Sequence, residues 1–193
     1  NTVSITDATV KRAVLGGNGT WAGQSAHAGD AIGNTVNIEG DSQIIGDDEG
    51  ITYFDEAMVS GGRAGYGASA NNNTVNITGA ATIYRGRIEG ATINRGREAK
   101  GNSVNITGAV VLNDGQEMDG AVSVSPEHES TLEENHVVIN NAGAKLRNIT
   151  GANTTKKDIG VGGKSTAIGN YVILQNGQVE STTGSYMAAV SKN

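Results

Sequence analysis

Apolar and polar residues alternate with period two in a five-residue phrase that occurs six times along the chain. It reads Asn-Thr-Val-Ser-Ile at residues 1–5, Asn-Thr-Val-Asn-Ile at 34–38 and again at 73–77, and Asn-Ser-Val-Asn-Ile at 102–106. Two looser copies follow, Asn-His-Val-Val-Ile at 135–139 and Asn-Tyr-Val-Ile-Leu at 170–174. Period two with β-branched Val and Ile predicts a short strand with Val and Ile on one side. A second apolar stretch follows each copy, at residues 8–10, 43–45, 82–84, 110–112, 145–147 and 178–180. A third, often closed by Gly-Gly, comes at 13–17, 58–62, 91–94, 121–124 and 159–163, with 187–190 taken as the sixth.

A strand phrase repeated at this period is the signature of a stacked architecture. The sequence predicts an all-β parallel β-solenoid of about six coils, three short strands to a coil. One domain covers residues 1–193, with repeats starting near 1, 34, 73, 102, 135 and 170. Start-to-start distances run from 29 residues (Asn73 to Asn102) to 39 (Asn34 to Asn73). A bare coil needs roughly 20–25 residues. The surplus is expected in loops at Asn18–Gly33, Asp47–Ala57, Arg63–Asn72, Pro126–Glu134 and Ala152–Lys157, all rich in Gly, Ser, Asn, Asp and charge.

Stacked coils superimpose like residues. Val36, Val75 and Val104 form one predicted inward column, Ile38, Ile77 and Ile106 the next, and Asn34, Asn73 and Asn102 a third. Amides in such a column can hydrogen-bond from coil to coil, as in cross-β ladders. Outward positions are Thr, Ser or Asn in the first four copies and turn apolar in the last two, at Val138, Tyr171 and Ile173. Those three residues mark a covered surface, under a returning loop or at an interface with another subunit.

Composition sharpens this picture. The chain has 193 residues, 29 of them Gly, one Pro and no Cys, so a disulfide scaffold and a thiolate metal site are excluded. Its net charge of -6, without a basic groove, argues against a nucleic-acid partner. Apolar runs are too short for this segment to insert in a membrane as a helix.

The phrases Ala-Val-Leu-Gly-Gly at 13–17 and Ala-Gly-Asp-Ala-Ile-Gly-Asn-Thr-Val-Asn-Ile-Glu-Gly at 28–40 resemble the repeats of type V autotransporter adhesin passenger regions. The resemblance covers all six copies, most clearly residues 1–108. It implies a right-handed parallel β-helix at the bacterial cell surface, serving as an adhesin or stalk rather than an enzyme. Its partners would be a host or bacterial surface glycan or protein, or further coils. A solenoid also has two open edges that must be capped or paired. The chain could therefore stack end to end into an extracellular filament, which is a second reading.

A carbohydrate-active β-helix is the third reading, and needs clustered acids in a groove. The acids here group at Asp47, Asp48 and Glu49, and at Asp114, Glu117 and Asp119. Such oxygen donors suit Ca²⁺. Neither group has the spacing of an ordered calcium loop, so no cofactor is expected. Arg85 with Arg87, and Arg95 with Arg97, share parity in pairs and are candidates for binding acidic glycan or a subunit's carboxylates. Trp21, Tyr53 and Phe54 lie in or beside long loops and could dock a partner or pin their own loops.

Overall fold

The computed structural model describes residues 1–19, 28–45, 57–84, 86–113, 117–124, 129–155 and 165–187. The fold is an all-β parallel solenoid, and the described residues include no helix. On its first face Thr2–Thr6, Thr35–Glu39, Thr74–Ile77, Ser103–Ile106 and the starts of His136–Thr155 and Tyr171–Met187 pair in parallel, in that order. The register is that of the repeat: Val3, Val36, Val75, Val104, Val137 and Val172 stand one on another. The turns starting at 34, 73, 102 and 135 are covered on both sides, and those starting at 1 and 170 are the end turns.

The first four turns have four strands each rather than the expected three, and the fifth continues the same four faces. The second face stacks Thr9–Val10, Gln43–Ile45, Thr82–Tyr84 and Val111–Asn113. The third stacks Ala13–Asn18, Ala57–Ala64, Gly86–Asn94 and Glu117–Val124. A separate sheet of Ala31–Ile32, Ser69–Asn71, Glu98–Lys100, Ser130–Glu133 and Ser165–Ile168 makes the fourth. Stretches expected as loops, within Asn18–Gly33, Arg63–Asn72 and Pro126–Glu134, therefore hold this extra face. Its strands are two to four residues long, too short to show an alternation. The third strand of the fifth turn is also displaced from its expected place. It lies at residues 148–155, paired with 117–124, and that of the sixth turn at 181–187. In these turns no surplus residues separate the second strand from the third, and the expected stretch at 159–163 lies outside the described residues.

A column of glycines shapes the cross-section. Gly16, Gly61, Gly90, Gly120, Gly151 and Gly184 fall at one position, between register pairs such as Glu89 with Asp119 and Ala91 with Ala121. A Cβ on Gly90 would lie 2.4 Å from the Gly120 carbonyl oxygen and 2.9 Å from the Ser103 backbone nitrogen. On Gly120 it would lie 2.4 Å from the Gly151 carbonyl oxygen and 2.6 Å from the His136 nitrogen. The third face thus bends inward until its backbone meets the start of the first face of the next turn, an approach only Gly permits.

This pinch divides the interior into two lobes. The larger holds the Val and Ile columns, including Val36, Ile38, Ile44, Ile83, Ile88 and Val104. The smaller is lined mainly by Ala, with Ile93 and Leu132. Fully burying each Val or Ile contributes roughly 1.5–3 kcal/mol. The Ala lobe is narrow because its walls in each turn are one short fourth-face strand and one half of the pinched third.

The corner that leads from each of the first five turns into the next uses the left-handed backbone region. Gly33, Asn72, Gly101, Glu134 and Gly169, each just before an Asn of the repeat, have φ between 55° and 65°. Glu134 is the costly member, because a side chain there strains the backbone by about 1–2 kcal/mol. Glu134→Gly should therefore raise the urea midpoint, by the equivalent of about 0.5–1 kcal/mol once the extra freedom of Gly in the unfolded chain is subtracted. The contact it removes, Lys100 Nζ to Glu134 at 3.9 Å, is solvent-exposed and contributes little.

Candidate functional site: polar spine, concave groove and end turns

The most connected polar array is the Asn column at the waist. Asn1, Asn34, Asn73 and Asn102 each donate from Nδ2 to the Oδ1 of the next turn's Asn, at 2.8, 2.8, 3.0 and 2.8 Å. Asn135 continues the series to Asn170 at 2.9 Å. Backbone N–H groups of Asn34, Asn73, Asn102 and Asn135 donate to the same acceptors at 2.9–3.1 Å. The second Nδ2 hydrogen of Asn73, Asn102, Asn135 and Asn170 reaches back to the carbonyls of Ala31, Ala70, Ala99 and Leu132, each at 2.8 Å. Buried polar groups are thereby satisfied along the axis. Every amide points the same way, so each bond polarises the next. The predicted stack residues Asn34, Val36, Ile38, Asn73, Val75, Ile77, Asn102, Val104 and Ile106 are all buried at these positions.

Outside the pinch runs a concave groove. Ser60, Glu89, Asp119 and Thr150 line one side on successive turns, and Thr92, Val122 and Asn153 the other. Glu89 and Asp119 are each 1% exposed, and Thr92 donates its hydroxyl to Glu89. Two carboxyls on neighbouring strands, about 4.8 Å apart in backbone, are the arrangement a carbohydrate-active groove would need. At this burial neither is open to a polymeric sugar. Glu89 stands apart from the acids that group in the sequence. Its place beside Asp119 depends on the 30-residue offset between two turns, which the register sets (Glu89 with Asp119). Among the described residues no three His, Cys, Asp or Glu side chains converge as a metal site. Asp47, Asp48, Glu49 and Asp114 lie outside the described residues.

The fourth face carries a small charged column. Lys100 Nζ lies 3.0 Å from a Glu133 carboxylate oxygen, and Asn71 Nδ2 donates to Glu98 at 3.0 Å. The hydrogen bond to Glu133 raises the Lys100 pKa above its ordinary value. The linked stability is present below the unfolded-state pKa and is lost as pH rises through the raised folded value.

The Arg residues do not form one patch. Arg87 opens Gly86–Asn94 and Arg95 follows its end, a separation on the order of 25 Å along an extended strand. Arg95 is a corner residue at φ 55°, Arg97 is exposed on the approach to the fourth face, and Arg85 lies outside the described residues, as do Trp21, Tyr53 and Phe54. On the outer side of the first face Asn105 and Asn76 donate to Asn76 and Asn37, each at 3.0 Å. In the last two turns Val138 and Ile173 take the place of this ladder, and the Thr74 and Ser103 column beside it continues into the His136 and Tyr171 rings, stacked with centroids 4.8 Å apart and 4° between planes. Tyr171 is 42% and Ile173 40% exposed, while Val138 is half-buried. No described loop returns over Tyr171 and Ile173, so the expected cover is not supplied by that part of the chain.

The end turns expose residues that are core elsewhere. Ile38, Ile77, Ile106 and Ile139 are fully buried, yet Leu174 in the same column is 43% exposed. At the other end Val3, Ile5 and Val10 are only partly buried. No helix among the described residues is long and apolar enough to cross a membrane. No family model, no curated protein and no solved structure matches this chain.

Proposed function

We propose that the chain is a structural and adhesive solenoid of the bacterial surface, a passenger-like stalk or adhesin segment. The Asn spine carries this reading. Its amides are spent on bonds between turns, in one direction, through every turn from Asn1 to Asn170. Such a stack is a rigid rod whose outer face is free to vary, as a spacer or adhesin requires. The resemblance to autotransporter passenger repeats supports the same compartment and role. A glycan array with a parallel turnover assay tests it. Retention of a surface glycan without product release, from a monodisperse rod in negative-stain images, is the expected result. Release of cleaved polysaccharide, abolished by Glu89→Gln or Asp119→Asn in a still-folded protein, overturns it in favour of the enzyme reading.

A further inference from the structure

The groove outside the pinch gathers oxygen atoms that the stacking of turns does not require. Glu89, Asp119 and Thr150 stand one on another in the third, fourth and fifth turns, and Thr92, Val122 and Asn153 do so across the bend. The two columns face each other, since the Thr92 hydroxyl donates to Glu89. All four oxygen-bearing residues besides Thr92, namely Glu89, Asp119, Thr150 and Asn153, are buried. Asn153 alternates with Ala152, which lines the smaller lobe, so its amide points outward into the groove.

That amide breaks the pattern of the molecule. Each spine Oδ1 accepts at least one hydrogen bond from the neighbouring turn. Asn153 is 7% exposed, and its Oδ1 has no hydrogen-bond donor among the described residues. A buried acceptor without a donor loses its hydration for no return, so it points to a partner of another kind. The charges around it say which kind. Two carboxyls in one buried column, on turns about 4.8 Å apart, repel each other when both are ionised. Arg63, in register with Thr92, and Arg87, two residues before Glu89, bring positive charge to the Glu89 side. Neither Glu117–Val124 nor residues 148–155, the strands that carry Asp119 and Asn153, contain a Lys or an Arg.

We propose that this stretch of the groove is a calcium site. Asp119 and Glu89 are its anionic ligands, and the Asn153 Oδ1 and the Thr150 hydroxyl complete an all-oxygen set. Only two of these ligands are carboxylates, so the site is not one of converging acids. Ca²⁺ takes about six to eight oxygens in adaptable geometry, whereas Mg²⁺ retains several waters that a groove this buried would have to admit. The ion bridges the third, fourth and fifth turns on the outer side of the pinch. Its binding is therefore part of the folding free energy. The site goes beyond the adhesin reading and does not depend on it.

Equilibrium dialysis of the EDTA-stripped 193-residue chain against radioactive Ca²⁺ tests the site, with thermal unfolding followed by circular dichroism. Half-saturation is expected at roughly 0.1–1 mM, the range of extracellular calcium modules. About 10 mM CaCl₂ should then raise the unfolding midpoint by about 3–10 °C, and MgCl₂ or NaCl of equal ionic strength should not. Asp119→Asn should abolish the shift. Asn153→Ala should weaken binding and Asn153→Asp strengthen it, each by roughly tenfold, since affinity follows the number and charge of the oxygen ligands. Absence of bound Ca²⁺, a shift that NaCl or MgCl₂ reproduces, or a shift that survives Asp119→Asn overturns the site. Where Asp119→Asn does not fold, the two Asn153 variants decide. An Asn153→Asp chain destabilised equally with and without Ca²⁺ also overturns it, because the Asn153 amide then serves Asp119 as a donor. None of these failures bears on the glycan array or the turnover assay.

Discussion

Gly120→Ala is expected to destabilise the solenoid by about 3 kcal/mol, the upper end of what overpacking costs. The added methyl would meet the Gly151 carbonyl oxygen at 2.4 Å, the His136 nitrogen at 2.6 Å and the Asn135 carbonyl carbon at 3.0 Å. All three are backbone, held by the ladder between turns, so none can swing aside as a side chain would. Relief requires the third face to move off the first, which opens the seam between the two lobes. The contrast with Gly33→Ala separates this cause from the general cost of losing a glycine. Gly33 has φ 65° and nothing within 4 Å of a built Cβ. Alanine there should cost only the left-handed backbone strain of about 1–2 kcal/mol. Urea midpoints with limited proteolysis check both. Gly120→Ala should expose cleavage sites in the flanking turns, because stability in a stack is shared between neighbours. Equal effects at the two glycines would show that the pinch is not the determinant.

How far the sequence shows this architecture depends on what each residue packs against. The Val and Ile columns were legible because each inward position faces its own copy, so the constraint repeats with the coil and is visible as identity. Asn34, Asn73 and Asn102 were legible as a ladder for the same reason. The pinch was not. Gly16 and Gly17 were read as a strand end, whereas a glycine at that position is needed mid-strand, where the contact is with a backbone more than ten residues away in sequence. The fourth face was hidden because it buries only one or two residues per turn, Ala70, Ala99, or Ser130 with Leu132, and flanks them with polar ones. The Glu89 and Asp119 groove was hidden because the two turns differ in length. Parity within each Arg pair says nothing about the other pair, since Arg87 and Arg95 stand at opposite ends of one strand.

Asn102→Asp should be the most damaging exchange of nearly identical shape, at about 4 kcal/mol near neutral pH, within the range for an uncompensated buried charge. Asn102 is fully buried. Its Oδ1 accepts from the Asn73 backbone N–H and Nδ2, at 2.9 and 3.0 Å, and its Nδ2 donates to Asn135 Oδ1 and the Ala70 carbonyl, both at 2.8 Å. A carboxylate keeps the two accepted bonds. Its other oxygen then faces two oxygens at hydrogen-bond distance with no proton to share. Desolvation and those facing oxygens raise the new carboxyl's folded pKa, so the destabilisation is small below its unfolded value of about 3.9 and grows as pH rises through the folded value. Asn102→Ala removes both donors and acceptor and should cost about 3 kcal/mol, independent of pH, because it strands partners without adding charge. Asn105→Ala, on the half-exposed outer ladder, gives up one 3.0 Å bond to Asn76 and should cost under about 1 kcal/mol. Urea melts of the three variants at acid and neutral pH decide the matter. A pH-independent Asn102→Asp, or an Asn105→Ala as harmful as Asn102→Ala, would mean that the spine does not set the stability of the stack.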